Sequence, residues 1–411
     1  MPVMQVLPAQ ESYSSTILEE LTVHARLFLL ASAALAVAAG SAAAQAPTIR
    51  VAGRMQAHFR AASGDSSGSF NPNAVNSTFE IRRLRIQTDV RFGDNMLVVI
   101  QPSFEMGALR MRDAYLRVGL SPRFGVTMGQ EKSPFQRYEL NSSNNLLSIE
   151  RGVRILRLSN SEGLNDVLVQ NGYGSHDLGV FADYASAENK ITVKAGVQSG
   201  SRESVTDVNN AKSFYARGTA TVMTNTENQP MLQVGASFGS RDRAICQTPA
   251  TGATCTTYYA DSSKRTTAFG LDAEWGGFRP GLHVIADFAS GKTVPFANRV
   301  ATGRNTANLR TTADSALRTF MGLSLIGAYR LNTGGPDTRV IKILEPALRV
   351  DYVDPNTDAG NNEGILITPV LNIYFANTTV LRAGYDFYSY KDATGTSRSA
   401  SELKFSWQAN F

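Results

Sequence analysis

Apolar and polar positions alternate with a period of two along residues 49–411. The alternating stretches are about 10 to 15 residues long and are separated by Gly, Pro, Asn, Asp and Ser. Because successive side chains of a β-strand point to opposite faces, each stretch predicts a strand with one apolar and one polar face. No stretch shows helical periodicity of comparable strength. The chain is therefore predicted to be all-β, with about 16 strands around residues 48–60, 78–92, 95–104, 109–120, 123–131, 176–185, 190–199, 212–223, 231–241, 265–275, 280–289, 317–330, 339–353, 364–375, 378–390 and 400–411.

The last stretch has the clearest two-faced pattern. Between residues 403 and 411 the odd positions are Leu, Phe, Trp, Ala and Phe, whereas the even positions are Lys, Ser, Gln and Asn. A strand that crosses a membrane needs about 9 to 11 residues, and lipid cannot satisfy the hydrogen bonds of an open sheet edge. Many two-faced strands of this length therefore predict a transmembrane antiparallel β-barrel.

The connections between the predicted strands alternate in length. Every second connection is short, namely residues 93–94, 120–123, 186–189, 226–229, 276–279 and 376–377. The others are mostly long and polar, such as residues 61–77, 132–175, 242–264 and 290–316. Bacterial outer-membrane barrels have short periplasmic turns and long external loops, so this asymmetry favours a barrel. Two connections depart from it: 105–108 is short, and 331–338 is a longer turn.

A soluble secreted β-sandwich or solenoid would also alternate and is the competing interpretation. Aromatic residues near the strand ends favour the barrel, because such residues form girdles where a barrel wall meets the two membrane surfaces. These aromatic residues are Phe92, Phe104, Trp275, Phe288, Phe375 and Trp407.

The start of the chain contains an export signal. Residues 27–44 form an apolar run that ends in an A-x-A pattern at residues 42–44. This is typical of a secretory signal peptide cleaved before Gln45, and a membrane anchor is the alternative. Residues 1–22 contain three Glu and no Lys or Arg, so we expect translation to begin later, near Val23.

Removal of residues 1–44 leaves residues 45–411 as the barrel domain and makes the protein more basic. The full chain has 40 Lys and Arg against 35 Asp and Glu, and the removed segment contains one Arg and three Glu. The net charge therefore rises from +5 to +7. Beyond the signal peptide, no run approaches the roughly 18 to 20 apolar residues that a membrane helix needs.

The polar faces of the strands predict the lining of the lumen, and this lining is rich in arginine. Arginine in a water-filled pore raises the local anion concentration and can bind phosphate or carboxylate oxygens in a bidentate manner. The alternative is that these arginines pair with acidic residues across the lumen and hold the wall rigid. The predicted lining residues are Arg50, Arg54, Arg83, Arg85, Arg91 and Arg117.

The most specific sequence motif of the chain lies in the longest connection and the strand before it. Its distinctive residues are Gly129-Gln130, Lys132, Pro134-Phe135, Glu139-Leu140, Ser142-Ser143 and Glu150-Arg151. These residues resemble the hallmark of the phosphate-selective porin O and P family. The resemblance extends, more weakly, over essentially the whole chain after the signal peptide.

The resemblance implies a 16-stranded barrel, usually a homotrimer, whose third long external loop folds into the pore and forms its constriction. Lys132 matches the basic residue before the Pro-Phe turn, and Arg151 matches the Arg that closes the loop. Arg137 lies in the same loop without a matching family position. A last strand that ends on Phe411 also resembles the signal that outer-membrane proteins present to the barrel insertion machinery.

Together these observations predict a porin of the bacterial outer membrane that lets small hydrophilic solutes diffuse passively, with a preference for anions and phosphate as the candidate anion. The alternative is a barrel anchor whose external loops serve adhesion. An enzyme is not expected, because His58, His176 and His283 are scattered and lack a partnering motif. No spacing of His and Cys indicates a metal site, no cofactor is expected, and no nucleic-acid partner is indicated.

Cys246 and Cys255 lie in one polar external connection of an exported chain, so we expect a disulfide between them. Alkylation of the unfolded protein should then label both thiols only after reduction. Equal labelling with and without reductant would contradict this prediction.

Overall fold

The computed structural model describes residues 46–64, 75–158, 163–201, 203, 207, 209–246, 258–293, 317–333, 340–358, 360–376, 379–391 and 395–411. The predicted signal peptide, residues 1–44, lies outside the described residues. So does Cys255, and with it the predicted disulfide to Cys246.

Sixteen antiparallel strands of the described residues close into one barrel, in which every strand pairs with its neighbours in sequence and β1 pairs with β16. This confirms the predicted fold class. The strands are β1 Thr48–Gly64, β2 Ser77–Phe92, β3 Met96–Glu105, β4 Ala108–Ser121, β5 Phe124–Lys132, β6 His176–Ala185, β7 Ile191–Gln198, β8 Ser213–Thr224, β9 Pro230–Cys246, β10 Tyr258–Trp275, β11 Gly281–Thr293, β12 Arg318–Asn332, β13 Ile343–Asp354, β14 Gly364–Ala376, β15 Thr379–Lys391 and β16 Ser397–Asn410.

The barrel has two different ends. The end at which β1 starts and β16 finishes is called the turn end, because most of its connections are short. The opposite end, where β1 connects to β2 and β5 to β6, is called the loop end. β3 and β4 are an exception, because only Met106 and Gly107 join them at the loop end.

The barrel closes between its first and last strands. The Gly53 N–H donates to the carbonyl of Phe411 at 2.7 Å, and the Phe411 N–H donates to the carbonyl of Gly53 at 3.0 Å. A Cβ at position 53 would lie 2.3 Å from the ring of Phe411. Glycine is therefore required where the last aromatic ring crosses the first strand.

Large apolar side chains cover the outer face of the wall. They include Ile49, Phe79, Leu271 and Phe387, each more than half exposed. Ile49 keeps the lipid-facing phase that the period-two pattern predicts for β1. Phe79 faces outward although it is out of phase with Leu84 and Ile86 of β2, because the strand pairing shifts by one residue between them. Within the described ranges, no helix is long and apolar enough to cross a membrane.

Residues 133–175 connect β5 to β6 and are called the inner loop. Their described part contains two short α-helices, α1 Arg137–Leu140 and α2 Leu164–Asn171, and a single 3-10 turn at Ser143–Asn145. α2 begins after Gly163, whose N–H donates to the carboxylate of Asp166 at 3.1 Å. It ends at Gly172, which has φ of 81°, a backbone conformation that favours glycine. The sequence pattern did not predict α2, because eight residues are too few for a clear helical period.

The inner loop packs against apolar residues on the inner face of the wall. Val153 and Ile155 of the loop belong to one buried cluster with Tyr388 and Tyr390 of β15. Leu147 belongs to a second cluster with residues of β11 and β12. The largest cluster contains Phe135, Leu164, Val167, Leu168 and Tyr173 of the loop with Tyr215, Ala268, Ala289, Phe320 and Val353 of the wall. Full burial of one such side chain contributes about 1.5 to 3 kcal/mol, so these clusters hold the loop against the wall.

Replacement of Leu168 by Ala should loosen the inner loop without opening the barrel. Leu168 is fully buried in α2, and loss of a buried Leu side chain costs about 2 to 5 kcal/mol. We expect faster hydrogen exchange at the amides of α2 and unchanged exchange in the strands, measured by mass spectrometry. Leu282→Ala is the control, since it removes the same atoms from an outward-facing position. Equal exchange of α2 in the two variants would contradict the prediction.

Candidate functional site: the lumen beside the inner loop

Polar contacts connect the inner loop to strands on opposite sides of the lumen. On one side, Arg54 of β1 donates to Ser142 Oγ at 2.9 Å and to Asn144 Oδ1 at 2.8 Å. On the other side, the main-chain N–H of Gln136 donates to Ser237 Oγ of β9 at 3.1 Å. Asn372 of β14 donates to the carbonyl of Leu147 at 3.0 Å. The loop therefore crosses the interior of the barrel.

Two β-bulges bring additional arginines to the inner face. In β2, Gln56 of β1 pairs with Arg83 and Ala57 pairs with Ile81, so Arg82 is the extra residue. In β4, Gln101 of β3 pairs with Asp113 and Pro102 pairs with Met111, so Arg112 is the extra residue. Proline has no N–H to donate to the ladder, which suits a bulge opposite Pro102.

Arg82 and Arg112 are functional candidates that a strict period of two assigns to the lipid face. The sequence nevertheless carries a signal for them. An arginine in lipid costs about 2 to 4 kcal/mol at the middle of the membrane. A charged residue in a lipid-facing register therefore indicates a bulge.

Glu150 of the inner loop joins the loop to the arginines of β2. Its carboxylate accepts from Arg82 Nε at 2.5 Å and from Arg83 Nη2 at 2.7 Å. Burial alone raises the pKa of this carboxyl, but the charges of Arg82, Arg83 and Arg154 outweigh burial and hold the pKa well below its ordinary range. The main-chain carbonyl of Glu150 also accepts from Arg349 Nη1 of β13 at 2.7 Å.

Glu139 is a second acidic centre of the loop. Lys132 Nζ lies 3.7 Å from its carboxylate and donates to its main-chain carbonyl. Arg151 Nε lies 3.9 Å from the same carboxylate. Burial raises the pKa of Glu139, but Lys132 and Arg151 outweigh it and lower the pKa to about 2. Two residues matched to the family, Lys132 at the end of β5 and Arg151 of the inner loop, thus meet at one carboxylate.

A cavity of about 220 Å³ lies between the inner loop and the inner face of β2 to β4. We call it the loop-end cavity. Seven basic residues line it, namely Arg82, Arg83, Arg85, Arg112, Lys132, Arg151 and Arg154. Four acidic residues line it, namely Glu105, Glu139, Glu150 and Asp166. Arg154 and Arg112 also pair with Glu80 and Glu203, which lie outside the lining. The seven bases therefore face six acids in all, and a net positive charge of one remains.

Arg54 adds a further positive charge near this cavity. It is 6% exposed, and both of its hydrogen-bond partners are neutral side chains. Among the described residues, no carboxylate lies within ion-pair distance of it. Arg54 stands directly opposite Arg85, which is paired with Glu105 at 2.6 Å. An uncompensated guanidinium beside a basic cavity favours an anion there.

A second cavity, of about 420 Å³, lies nearer the turn end and is called the turn-end cavity. Lys132 lines both cavities. The charged residues of the turn-end cavity are three acids and three bases, namely Asp113, Glu131, Asp183, Lys132, Lys194 and Arg217. Its lining is therefore balanced in charge, unlike that of the loop-end cavity.

The remaining sequence candidates lie elsewhere. Arg50 and Arg91 are exposed at the turn end, where Arg50 stands opposite Asp89. Arg117 pairs with Asp183 at 2.6 Å. Arg137 of α1 pairs with the carboxylate of Glu274 of β10 and is not part of the loop-end lining. The structure brings together Arg83, Arg85, Lys132 and Arg151, with Arg54 beside them.

The three histidines lie at separate positions on the wall. His283 is 2.8 Å from Glu274, His176 is 3.3 Å from Asp113, and His58 is 3.7 Å from Glu80. Each faces a carboxylate of the wall. Across the part of the chain that the structure describes, no group of three or more His, Cys, Asp or Glu residues is placed to hold a metal ion.

The model of one protein family, Phosphate-selective porin O and P, matches residues 49–316, which is more than half of the chain. The chain belongs to this family. The porin is a channel of the bacterial outer membrane. Its family and fold point to a channel rather than to an enzyme. No curated protein matches the sequence of this porin.

Solved structures share the fold of this porin at low sequence identity. The outer membrane channel DcaP of Acinetobacter baumannii is 13% identical, with 89% of this chain and 97% of that chain covered and a TM-score of 0.57. An anion-selective porin from Comamonas acidovorans is 9% identical, with 89% and 100% covered and a TM-score of 0.56. A loop L8 deletion mutant of OmpT from Vibrio cholerae is 13% identical, with 89% and 100% covered and a TM-score of 0.54.

Replacement of Glu150 by Gln should destabilise the inner loop of the porin. Loss of one partner from a buried ion pair costs about 3 to 5 kcal/mol, and Arg82 and Arg83 would lose their shared carboxylate. We expect a lower melting temperature by near-ultraviolet circular dichroism. Glu227→Gln, in an exposed turn, is the matched control.

The effect of Glu150→Gln should also depend on pH. Because the pKa of Glu150 is depressed in the folded protein, its stabilisation is present above the unfolded pKa of about 4.3. It is lost as the pH falls through the folded value. The melting temperatures of the variant and the wild type should therefore stay apart from pH 7 to about 5 and approach each other in stronger acid. A constant difference at every pH would contradict the assigned ion pairs.

Proposed function

We propose that the porin is a passive diffusion channel for small hydrophilic solutes that favours anions, phosphate among them. The observation that carries this proposal is the lining of the loop-end cavity, where seven basic residues face four acidic ones. A fixed positive balance in a narrow water-filled space concentrates anions and repels cations. The driving force is the gradient of the solute, and no reaction is catalysed.

Within this proposal, Lys132 and Arg151 form the constriction together with Arg83 and Arg85. All four line the loop-end cavity, and Lys132 also lines the turn-end cavity. Arg54 strengthens the positive field from beside the cavity. Arg50, Arg91 and Arg117 lie closer to the turn end, where we assign them to the entrance of the passage rather than to its selective part.

Arg137 has a supporting role in the proposal. Its ion pair with Glu274, and a hydrogen bond from its Nη1 to Gln233 Oε1 at 3.3 Å, attach α1 to the far wall. We infer that this residue keeps the inner loop in position. It would then affect the width of the passage and not its charge selectivity.

We also propose that the porin forms a homotrimer in contact with outer-membrane lipids, and that the strand ending on Phe411 is presented to the barrel insertion machinery. The family resemblance supports the trimer. Cross-linking of the purified protein in detergent tests it, and a monomer over the whole concentration range would refute it.

Replacement of Lys132 by Glu should reduce anion selectivity. The change replaces a positive charge by a negative one, a difference of two units, at the place that both cavities share. We expect the permeability ratio of chloride to potassium to fall several-fold, measured as the reversal potential of single channels in a planar bilayer under a KCl gradient. Phosphate should block the chloride current of the wild type at lower concentration than that of the variant.

Lys190→Glu is the matched control, because Lys190 is an exposed residue of a turn, paired with Glu188. It should leave the reversal potential unchanged. A wild-type channel without anion selectivity would refute the proposed preference. A barrel that inserts but conducts no current would favour an anchor with external binding loops.

A further inference from the structure

Two neighbouring strands each place a base and an acid side by side where the two cavities meet. In β4, Arg112 is followed directly by Asp113, and in β5, Glu131 is followed directly by Lys132. The bulge in β4 is the reason that both Arg112 and Asp113 face inward. Lys132 ends β5 and turns toward the inner loop, where it donates to the carbonyl of Glu139.

The two pairs have the same orientation along the barrel. β4 runs from the loop end to the turn end, so Arg112 lies nearer the loop end than Asp113. β5 runs the opposite way, so Lys132 lies nearer the loop end than Glu131. Ala114 of β4 pairs with Gln130 of β5. The two base-acid pairs therefore lie at the same height along the barrel axis. Both strands therefore present positive charge toward the loop end and negative charge toward the turn end.

The cavities divide these four side chains in the same way. Arg112 lines the loop-end cavity only, whereas Asp113 and Glu131 line the turn-end cavity only. Lys132 lines both. Seven bases and four acids line the loop-end cavity, whereas three bases and three acids line the turn-end cavity. The charge balance of the lining therefore changes at this height along the barrel axis. We call this height the charge boundary.

Neighbouring groups hold the two acids of the charge boundary in place. Lys194 Nζ is 2.6 Å from the carboxylate of Glu131, and His176 Nε2 is 3.3 Å from that of Asp113. Asn and Gln keep the shape of these side chains and their capacity for hydrogen bonds. Neutral replacements therefore change the charge with little change in packing.

We propose that the charge boundary makes the porin rectify, so that it carries more current when anions move from the loop end to the turn end than in reverse. The inference rests on the proposed anion preference of the loop-end cavity. It adds that the size of the current depends on the direction in which the anions move, and that Asp113 and Glu131 set the favoured direction.

The direction follows from which ions carry the current on each side. In the loop-end cavity the carriers are mainly anions, whereas the balanced turn-end cavity admits both signs. When anions are driven toward the turn end, they arrive at the boundary through the loop-end cavity faster than they leave it through the turn-end cavity. Cations that come from the turn end stop at the boundary, because the loop-end cavity repels them. Both ions accumulate and the conductance rises. The opposite voltage depletes both ions, so the conductance falls.

Single-channel currents at opposite voltages of about 100 mV, in equal KCl on both sides, test the inference. Low salt, about 0.1 M, keeps the screening length near 10 Å. We expect wild-type currents to differ roughly twofold between the two polarities. The difference should vanish at about 1 M salt, where the screening length is about 3 Å.

A biotinylated peptide inserted in the turn at residues 225–229 marks the turn end in each recording, because streptavidin added to one chamber reports which end faces it. The variant Asp113→Asn/Glu131→Gln removes both acids of the charge boundary. Its current ratio should move at least twofold from that of the wild type, while the reversal potential in a KCl gradient stays anion-selective. Glu188→Gln is the control, since this exposed acid lies in a turn outside both cavities.

The outcomes separate this inference from the proposed function. Equal wild-type currents at both polarities, in channels whose reversal potential is anion-selective, would overturn the charge boundary and leave the anion preference intact. A double variant whose ratio of currents at the two polarities equals that of the wild type would also overturn the charge boundary. A reversal potential of zero in the wild type would instead refute the proposed function. Larger current with anions moving toward the loop end would overturn the derived direction.

Discussion

The passage through this barrel depends on the packing of the inner loop against apolar side chains of the inner wall. Phe135, Leu168 and Tyr173 of the loop lie fully or almost fully buried against β8 and β10 to β13. This burial fixes the position of the loop, and the ion pairs of Glu150 and Glu139 then fix its charged residues. Without the apolar contact, the same charges would remain solvated and would lose their geometry, because exposed ion pairs contribute little.

The sequence predicted the strands well because their constraints are local and repetitive. A strand that crosses a membrane needs a minimum length and must alternate, and both properties are visible in any ten residues. The predicted and observed strands therefore agree in number and nearly in bounds. β9 and β10 are longer than predicted, since both strands extend into a connection whose polar composition resembles a loop. α2 was not predicted, because its stability comes from packing against distant strands.

The candidate site was predictable only where the period of two holds. Arg54, Arg83 and Arg85 follow that period, and the sequence placed them on the lumen side. Arg82 and Arg112 reach the lumen through bulges, each of which depends on the pairing of two strands and cannot be read from one of them. Acidic partners such as Glu105 and Glu150 come from other strands and from the loop. The positive balance of one cavity is thus a property of the assembled wall.

The apolar residues of the inner wall have a consequence for any attempt to widen the pore. Phe320, Leu366 and Tyr388 point inward and are covered by the loop. Excision of residues 133–175 would leave these side chains facing water across the lumen. Apolar surface that is exposed to water costs about 25 cal/mol per Å². A loop-free barrel would therefore need polar replacements along β12, β14 and β15 to keep its stability while its lumen widened.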